Sequence, residues 1–271
     1  MPVLEPSGLH YSDQGDGPPV ILLHGFALTR ELWVEQAPLA EEFRLLAYDA
    51  RGCGDSPAPP TGYGYPDLTE ELLAFMDGVG LKKAHLVGHS RAGGILLRMA
   101  LDHAERVASL VFVSSILRGF PWSDALLQTV REGRDVARSE GVRAAVDRVW
   151  LPSPVFRWER EQRPEVFARV EQMAHRWSGA EWLDSATYPE QEPPDLERLG
   201  EVALPTYVLS GQEEMHDFVE IANMLAYWIP GARQKSLLRV GHFAMLENPY
   251  ETNVYLRAFL RSVVGRMSGS G

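Results

Sequence analysis

The sequence predicts an α/β protein: a mostly parallel, doubly wound sheet with helices on both faces and an inserted helical cap. Three observations carry this. Short apolar runs recur along the chain, helical patterns separate several of them, and the alternation breaks once, between residues 118 and 193.

The apolar runs at 20–23, 43–48, 85–87, 110–113 and 207–209 are too short for helices and read as strands buried on both faces. Helical periodicity follows at 67–79, 91–102 and 218–228, and a last helix at 250–264 is begun by Pro249 near its first turn. A further apolar stretch, 236–240, precedes that helix. In the break no strand pattern is found. Helical stretches at 123–138, 142–150, 164–177 and 180–185 are separated by Gly and Pro punctuation such as LPSP and QEPP. The expected organisation is core 1–117, cap 118–193, core 194–266 and a flexible tail 267–271.

A chain of 271 residues, 45% of them hydrophobic, can bury one large core with an insertion, which excludes disordered, collagen-like and small disulfide-stapled classes. With 37 acidic against 26 basic residues the net charge is −11, and no local basic patch offsets it. Binding to nucleic acid or an anionic membrane is therefore not expected. The single cysteine, Cys53, excludes an internal disulfide or a multi-thiol zinc site. Together with a first segment, MPVLEPSGLHYSD, that lacks the charged start and apolar run of a signal peptide, it points to a reducing, cytoplasmic setting. No stretch reaches the ~20 apolar residues of a membrane span.

Chemistry concentrates at AHLVGHSRAGG, where Ser90 sits directly after an apolar strand and directly before a helical pattern. A serine there occupies a sharp, strained turn with its oxygen exposed above the sheet. Small residues two positions before and after, Gly88 and Ala92, let strand and helix approach closely. Ala92 departs from the usual glycine by one methyl group, which leaves the demand for little volume met.

A serine hydroxyl needs a base and the base needs an acid. His242, in VGHFAMLENP, lies in a loop between an apolar stretch and the last helix, where such sheets place their chemistry. After the run at 207–209 comes GQEEMHD, which supplies Glu213, Glu214 and Asp217. The order Ser, acid, His along the chain is that of a nucleophile-elbow hydrolase.

With these motifs in place the chain resembles the α/β-hydrolase superfamily over nearly its whole length, in the compact serine-hydrolase branch with a helical cap, carboxylesterase- or lactonase-like. LLHGF at 22–26 is similar to the family's oxyanion-loop motif, DARGCGDS at 49–56 to its Asp-x-Arg-Gly-x-Gly-x-Ser turn, and GHFAMLENP to its histidine loop. The resemblance implies Ser90 as nucleophile and His242 as general base. It places the acid three residues after Gly211, at Glu214, where the family more often has Asp; Glu213 and Asp217 stay open as alternatives. It further implies that the backbone N–H groups of Phe26 and Arg91 form the oxyanion hole. His24 and His89 are assigned to packing and hydrogen bonding within their loops, Arg51 and Asp55 to turn structure, and Cys53 to a buried thiol.

These assignments imply hydrolysis of small or medium carboxylic esters or lactones through an acyl-enzyme, with no metal or organic cofactor. Epoxide hydrolases and haloalkane dehalogenases of the superfamily attack with an aspartate at the position of Ser90, which disfavours both. The small-molecule ester or lactone is the one partner expected, and oligomeric state is not readable. The cap carries Trp122, Trp150, Trp158, Trp177 and Trp182, five of the seven tryptophans. Most knit the cap together; Trp122 and Trp150 are the candidates for the wall of an apolar substrate pocket. Two further readings remain. Arg91 can meet a substrate carboxylate, as in carbon–carbon or enol-lactone hydrolysis, or pair with a cap carboxylate. A triad protein can also serve as a ligand sensor with slow hydrolysis.

Overall fold

The computed structural model describes residues 2–186 and 193–268. An eight-stranded sheet runs through it in the order β1-β2-β4-β3-β5-β6-β7-β8. The strands are β1 (Val3–Leu4), β2 (Leu9–Gln14), β3 (Pro19–Leu23), β4 (Arg44–Tyr48), β5 (Ala84–His89), β6 (Val107–Val113), β7 (Thr206–Gly211) and β8 (Arg233–Leu237). β1 and β2, and β2 and β4, pair antiparallel; every later pairing is parallel.

The core helices are α1 (Tyr65–Gly78), α2 (Ala92–Asp102), α8 (His216–Trp228), the short α9 (Ala244–Glu247) and α10 (Pro249–Ser268). Between β6 and β7 the described residues hold α3 (Asp124–Glu140), α4 (Val142–Ala145), α5 (Arg157–Gln162), α6 (Pro164–Ala174) and α7 (Ala180–Leu183), and no strand. The last six residues of the expected cap segment that precede Pro193, 187–192, lie outside the described residues.

Alternation along the strands builds two apolar layers. Ile21, Leu46, Leu86 and Phe112 face α1 and α2, where Leu72, Phe75 and Leu96 meet them. Val20, Leu22, Leu45, Val87 and Val111 face the other way, onto Leu256, Phe259 and Leu260 of α10. Burial of both faces is why the runs read as continuous apolar stretches. A third cluster, with Ala145, Val146, Trp177 and Trp182, belongs to the cap and closes over Ala27 and Cys53 of the core.

The antiparallel β1–β2 hairpin lies outside the apolar runs, since LHYSDQ carries only one buried apolar residue, Leu9. Two expectations need correction. The final strand lies at 233–237 rather than along 236–240: β8 is an edge strand, RQKSL, in which Leu237 alone is buried. α10 continues past 264 to Ser268, into the segment expected as a loose tail, and residues 269–271 lie outside the described residues. Among the described residues no helix is long and apolar enough to cross a membrane.

Candidate active site

The carboxyl ends of five parallel strands converge on one edge of the sheet. Phe26 follows β3, Ser90 follows β5, Ser114 follows β6, Glu214 follows β7 and His242 follows β8.

Ser90 adopts φ +52°, a left-handed conformation that a non-glycine residue holds only where the surroundings enforce it. Its N–H donates to the Val113 carbonyl at 3.0 Å, and its own carbonyl accepts from Gly93 N at 2.9 Å and Ile116 N at 3.1 Å. The tight packing is visible at Gly88, where a Cβ would meet Leu96 Cδ1 at 2.7 Å and the Ala92 methyl at 3.1 Å. The methyl of Ala92 is thus accommodated because position 88 has none. Gly25 is equally constrained: a Cβ there would lie 2.8 Å from His89 Nδ1 and 3.0 Å from Ser90 Cβ, so the 24–27 loop lies directly against the serine.

Ser90 and His242 line one cavity of about 440 Å³, together with Phe26, Arg91, Trp122, Trp150, Trp182 and Phe218. His242 is buried, and its ring packs 4.4 Å from that of Phe218 and 4.7 Å from that of His89. Its Nδ1 faces Oε2 of Glu214 at 3.6 Å. Glu214 is fixed through its other oxygen, Oε1, which accepts from Gly211 N at 2.9 Å and from the Ser114 hydroxyl. Burial pushes the Glu214 carboxyl up to about 8, against the two donors that pull it down, and pushes His242 down to about 3.

The other two acids point elsewhere. Asp217 Oδ2 accepts from Ser123 N at 3.1 Å and Ser123 Oγ at 2.7 Å, at the start of α3, while Glu213 is exposed.

Several neighbours serve the loops. His24 Nδ1 meets the Gly25 carbonyl at 2.8 Å and its Nε2 accepts from Ala50 N at 3.0 Å. His89 Nε2 meets the His242 carbonyl at 3.0 Å. Arg51 donates to Glu71 and to the Gly62 carbonyl, and Asp55 accepts from Arg176 of the cap. The Cys53 thiol is buried and pushed well above its usual range. Among the described residues no group of three or more His, Cys, Asp or Glu is placed to hold a metal ion.

Of the two readings of Arg91, the structure shows the pairing with a cap carboxylate: beside Ser90 it forms an ion pair with Glu181 of α7, and its guanidinium lies over the Phe26 ring at 5.9 Å. A second contact was not readable from the sequence. Glu159 of α5, fully buried, accepts from His242 N at 2.7 Å. No spacing ties a cap glutamate to a residue 83 positions away, so only the folded chain reveals the contact.

Comparison with known proteins agrees with this architecture. A thermophilic esterase from Thermogutta terrifontis superposes with a TM-score of 0.81 at 28% identity, covering 96% of this chain and 97% of that one. An enol-lactonase from Burkholderia xenovorans superposes at 0.77 with 26% identity, over 93% and 96% of the two chains. The protein named carbamate hydrolase RutD of Klebsiella pneumoniae is 26% identical over 249 residues, 91% of this chain and 92% of that protein. A shorter match, 37% over 113 residues, links 40% of the chain to bifunctional epoxide hydrolase 2 of Rattus norvegicus, and the chain spans only 20% of that protein's length. The model of the alpha/beta hydrolase fold family matches residues 18–249, and the chain belongs to that family.

Proposed function

We propose that this hydrolase cleaves small or medium, uncharged carboxylic esters or lactones through an acyl-enzyme on Ser90, with His242 as base and Glu214 as its acid. The observation that carries the reading is the approach of Glu214 Oε2 to His242 Nδ1 at 3.6 Å on the wall of a cavity that also exposes Ser90. A carboxylate at Nδ1 fixes the tautomer in which Nε2 is the free base, and it stabilises the imidazolium formed when that nitrogen takes the serine proton.

In the first half-reaction Ser90 Oγ attacks the carbonyl carbon while its proton passes to His242 Nε2. The N–H groups of Phe26 and Arg91 hold the resulting oxyanion; loss of one such donor typically costs about 10²–10³ in rate. Collapse expels the alkoxide, which leaves as an alcohol with the proton from His242. Water, deprotonated by His242, then attacks the acyl-enzyme and releases the acid and Ser90.

Substrate class follows from the wall. Most of the groups around the cavity are aromatic or aliphatic; of the three arginines that line it, Arg91, Arg131 and Arg134, the one beside Ser90, Arg91, is already neutralised by Glu181. That favours an uncharged acyl group over the carboxylate-bearing substrates of carbon–carbon hydrolysis. The esterase and enol-lactonase names of the superposable structures support an ester or lactone bond. The epoxide hydrolase match does not carry its chemistry here, because Ser90 holds the position of that group's aspartate. Turnover of p-nitrophenyl acetate, p-nitrophenyl butyrate, simple lactones and an aryl carbamate tests the reading. Repeated turnover abolished in Ser90→Ala is expected; a single burst, or none, points to a ligand sensor instead.

A further inference from the structure

Three consecutive backbone N–H groups in the loop that carries His242 are held by two carboxyl groups. Gly241 N donates to both oxygens of Glu247, at 3.0 Å each, and Phe243 N donates to Glu247 Oε1 at 3.1 Å. Between them His242 N donates to Oε1 of Glu159 at 2.7 Å. Trp158 Nε1 adds a bond to Glu247 Oε2 at 2.8 Å. Glu247 ends α9 in the core, whereas Trp158 and Glu159 belong to α5 in the cap. The loop is pressed against the cap: a Cβ on Gly241 would lie 2.5 Å from Glu159 Oε1 and 2.6 Å from Trp158 Cδ1.

Glu159 and Glu247 thus bring two carboxyl groups together on one loop, an arrangement that favours a proton on one of them. Glu247 receives two backbone donors and an indole donor, Glu159 a single backbone donor, so the negative charge belongs on Glu247 and the proton on Glu159. Oε2 of Glu159 is buried and receives no N–H donor, which disfavours a full charge on this carboxyl.

We propose that Glu159 and Glu247 are positioning residues for His242, a shared-proton clamp that locks the 241–243 loop to the cap and so makes the aim of the base depend on a seated cap. The role rests on His242 being the base. Glu247 is the charged group that faces Glu159; the other contacts from the histidine loop are the His242 N–H and the Gly241 backbone. Burial and the Glu247 charge push Glu159 up to about 9. The clamp therefore holds through the neutral range, and as pH rises through that value the proton leaves, two adjacent carboxylates repel, and the loop loosens.

Glu159→Gln and Glu159→Leu test this in the full chain. The glutamine amide can accept from His242 N and donate to Glu247, yet it has no proton to lose in this range. We expect Glu159→Leu to lower kcat about 10- to 100-fold with little change in KM, the scale of a buried hydrogen bond to a charged group. Glu159→Gln should rescue kcat to within about threefold, and should hold it at alkaline pH where the parent falls. Protection of the 241–243 amides against hydrogen exchange, relative to the intrinsic rate at each pH, gives a readout independent of turnover. It should be lost in the parent at alkaline pH and kept in Glu159→Gln. An alkaline loss identical in parent and Glu159→Gln, in both readouts, overturns the clamp. If Glu159→Leu does not fold, the Glu159→Gln profile decides alone. If the parent shows no Ser90-dependent turnover the function assigned to the site is wrong, while amide protection still decides the clamp.

Discussion

Ser114 donates its hydroxyl to Oε1 of Glu214, the oxygen also bound by Gly211 N, and this leaves Oε2 turned toward His242 Nδ1 at 3.6 Å. Ser114 itself sits at φ +47°, straight after β6. Its strained backbone thus anchors the carboxyl proposed as the acid, in the same way that the strained backbone of Ser90 holds the hydroxyl proposed as nucleophile.

If Glu214 is the acid proposed above, that arrangement makes Ser114 a positioning residue. Replacing it by alanine removes one of the two donors on Oε1 and frees the carboxylate to turn. A hydrogen bond to a charged group is worth about 1.5–3 kcal/mol, so Ser114→Ala should lower kcat at least tenfold. KM for p-nitrophenyl butyrate should barely move, since Ser114 does not line the cavity. A variant with unchanged kcat would remove Ser114 from the device.

The pH profile separates the two partners of the pair. An ordinary imidazole loses its proton near pH 6.5, but burial lowers His242 to about 3, so the ring is already neutral at neutral pH. The remaining proton sits on Glu214, raised to about 8. The carboxyl must ionise to stabilise an imidazolium, and kcat should therefore climb through an apparent pKa near 8, a value that belongs to the pair. In Glu214→Gln the residual rate should lose that limb. The same shift has a sign for stability. A carboxyl raised from 4.5 in the folded state contributes stability in full below 4.5 and loses it as pH rises through about 8. Glu214→Gln should accordingly gain in Tm relative to the parent at pH 9 and not at pH 4. Equal Tm differences at both values would contradict the assignment.

Under the proposed function, Glu181 should set charge selectivity. It neutralises Arg91 from the cap, and both side chains are largely buried at the cavity wall. Removing its charge leaves Arg91 facing the cavity with no counter-ion, which a substrate carboxylate can supply. Glu181→Gln should raise kcat/KM for a mono-aryl succinate relative to aryl butyrate by about tenfold, the scale of one charge-assisted contact. Breaking a buried pair costs about 3–5 kcal/mol, so Tm should fall as well, and added succinate should restore part of it. An unchanged succinate-to-butyrate ratio would show that the pair has no part in selection.

What the sequence made legible follows from how local each constraint is. The elbow at Ser90 needs an apolar strand, a turn and small residues at Gly88 and Ala92, all within one short window, so it could be read directly. The choice of Glu214 over Glu213 and Asp217 rests on a resemblance and not on the residues alone, because three acids share one loop. Folding separates them by sending Asp217 to cap α3 through Ser123 and leaving Glu213 in solvent. β8 starts ahead of the apolar stretch 236–240 because an edge strand needs only Leu237 inward, while Leu238, inside that stretch, is exposed. The segment Arg30–Glu41, a run of 3₁₀ turns carrying Pro38, has no helical stripe to detect. Glu159 and Glu181 are invisible for a different reason. Each is a single glutamate among charged cap residues, and its partner lies more than eighty positions away.

The two kinds of cap tryptophan should respond oppositely to truncation. Trp182 is almost wholly buried, with its ring against Gly133, where a Cβ would lie 2.5 Å from Cη2, and against Phe26 and Trp177. Trp182→Ala leaves a large void in the cap and should cost about 3–5 kcal/mol. Trp122 is only partly buried, packs edge-on against Phe218 at 5.5 Å and lines the cavity beside it. Trp122→Ala opens space next to the His242 wall at a smaller cost, because solvent already reaches part of the ring. Each methylene accepted by an apolar pocket is worth about 1 kcal/mol or more, so the preferred acyl chain should lengthen in Trp122→Ala and its kcat/KM for octanoate over acetate should rise about tenfold. Measured together, chain-length profile and Tm distinguish the roles: a Trp122→Ala enzyme with the parent's profile and a large Tm loss would make that residue a structural tryptophan like Trp182.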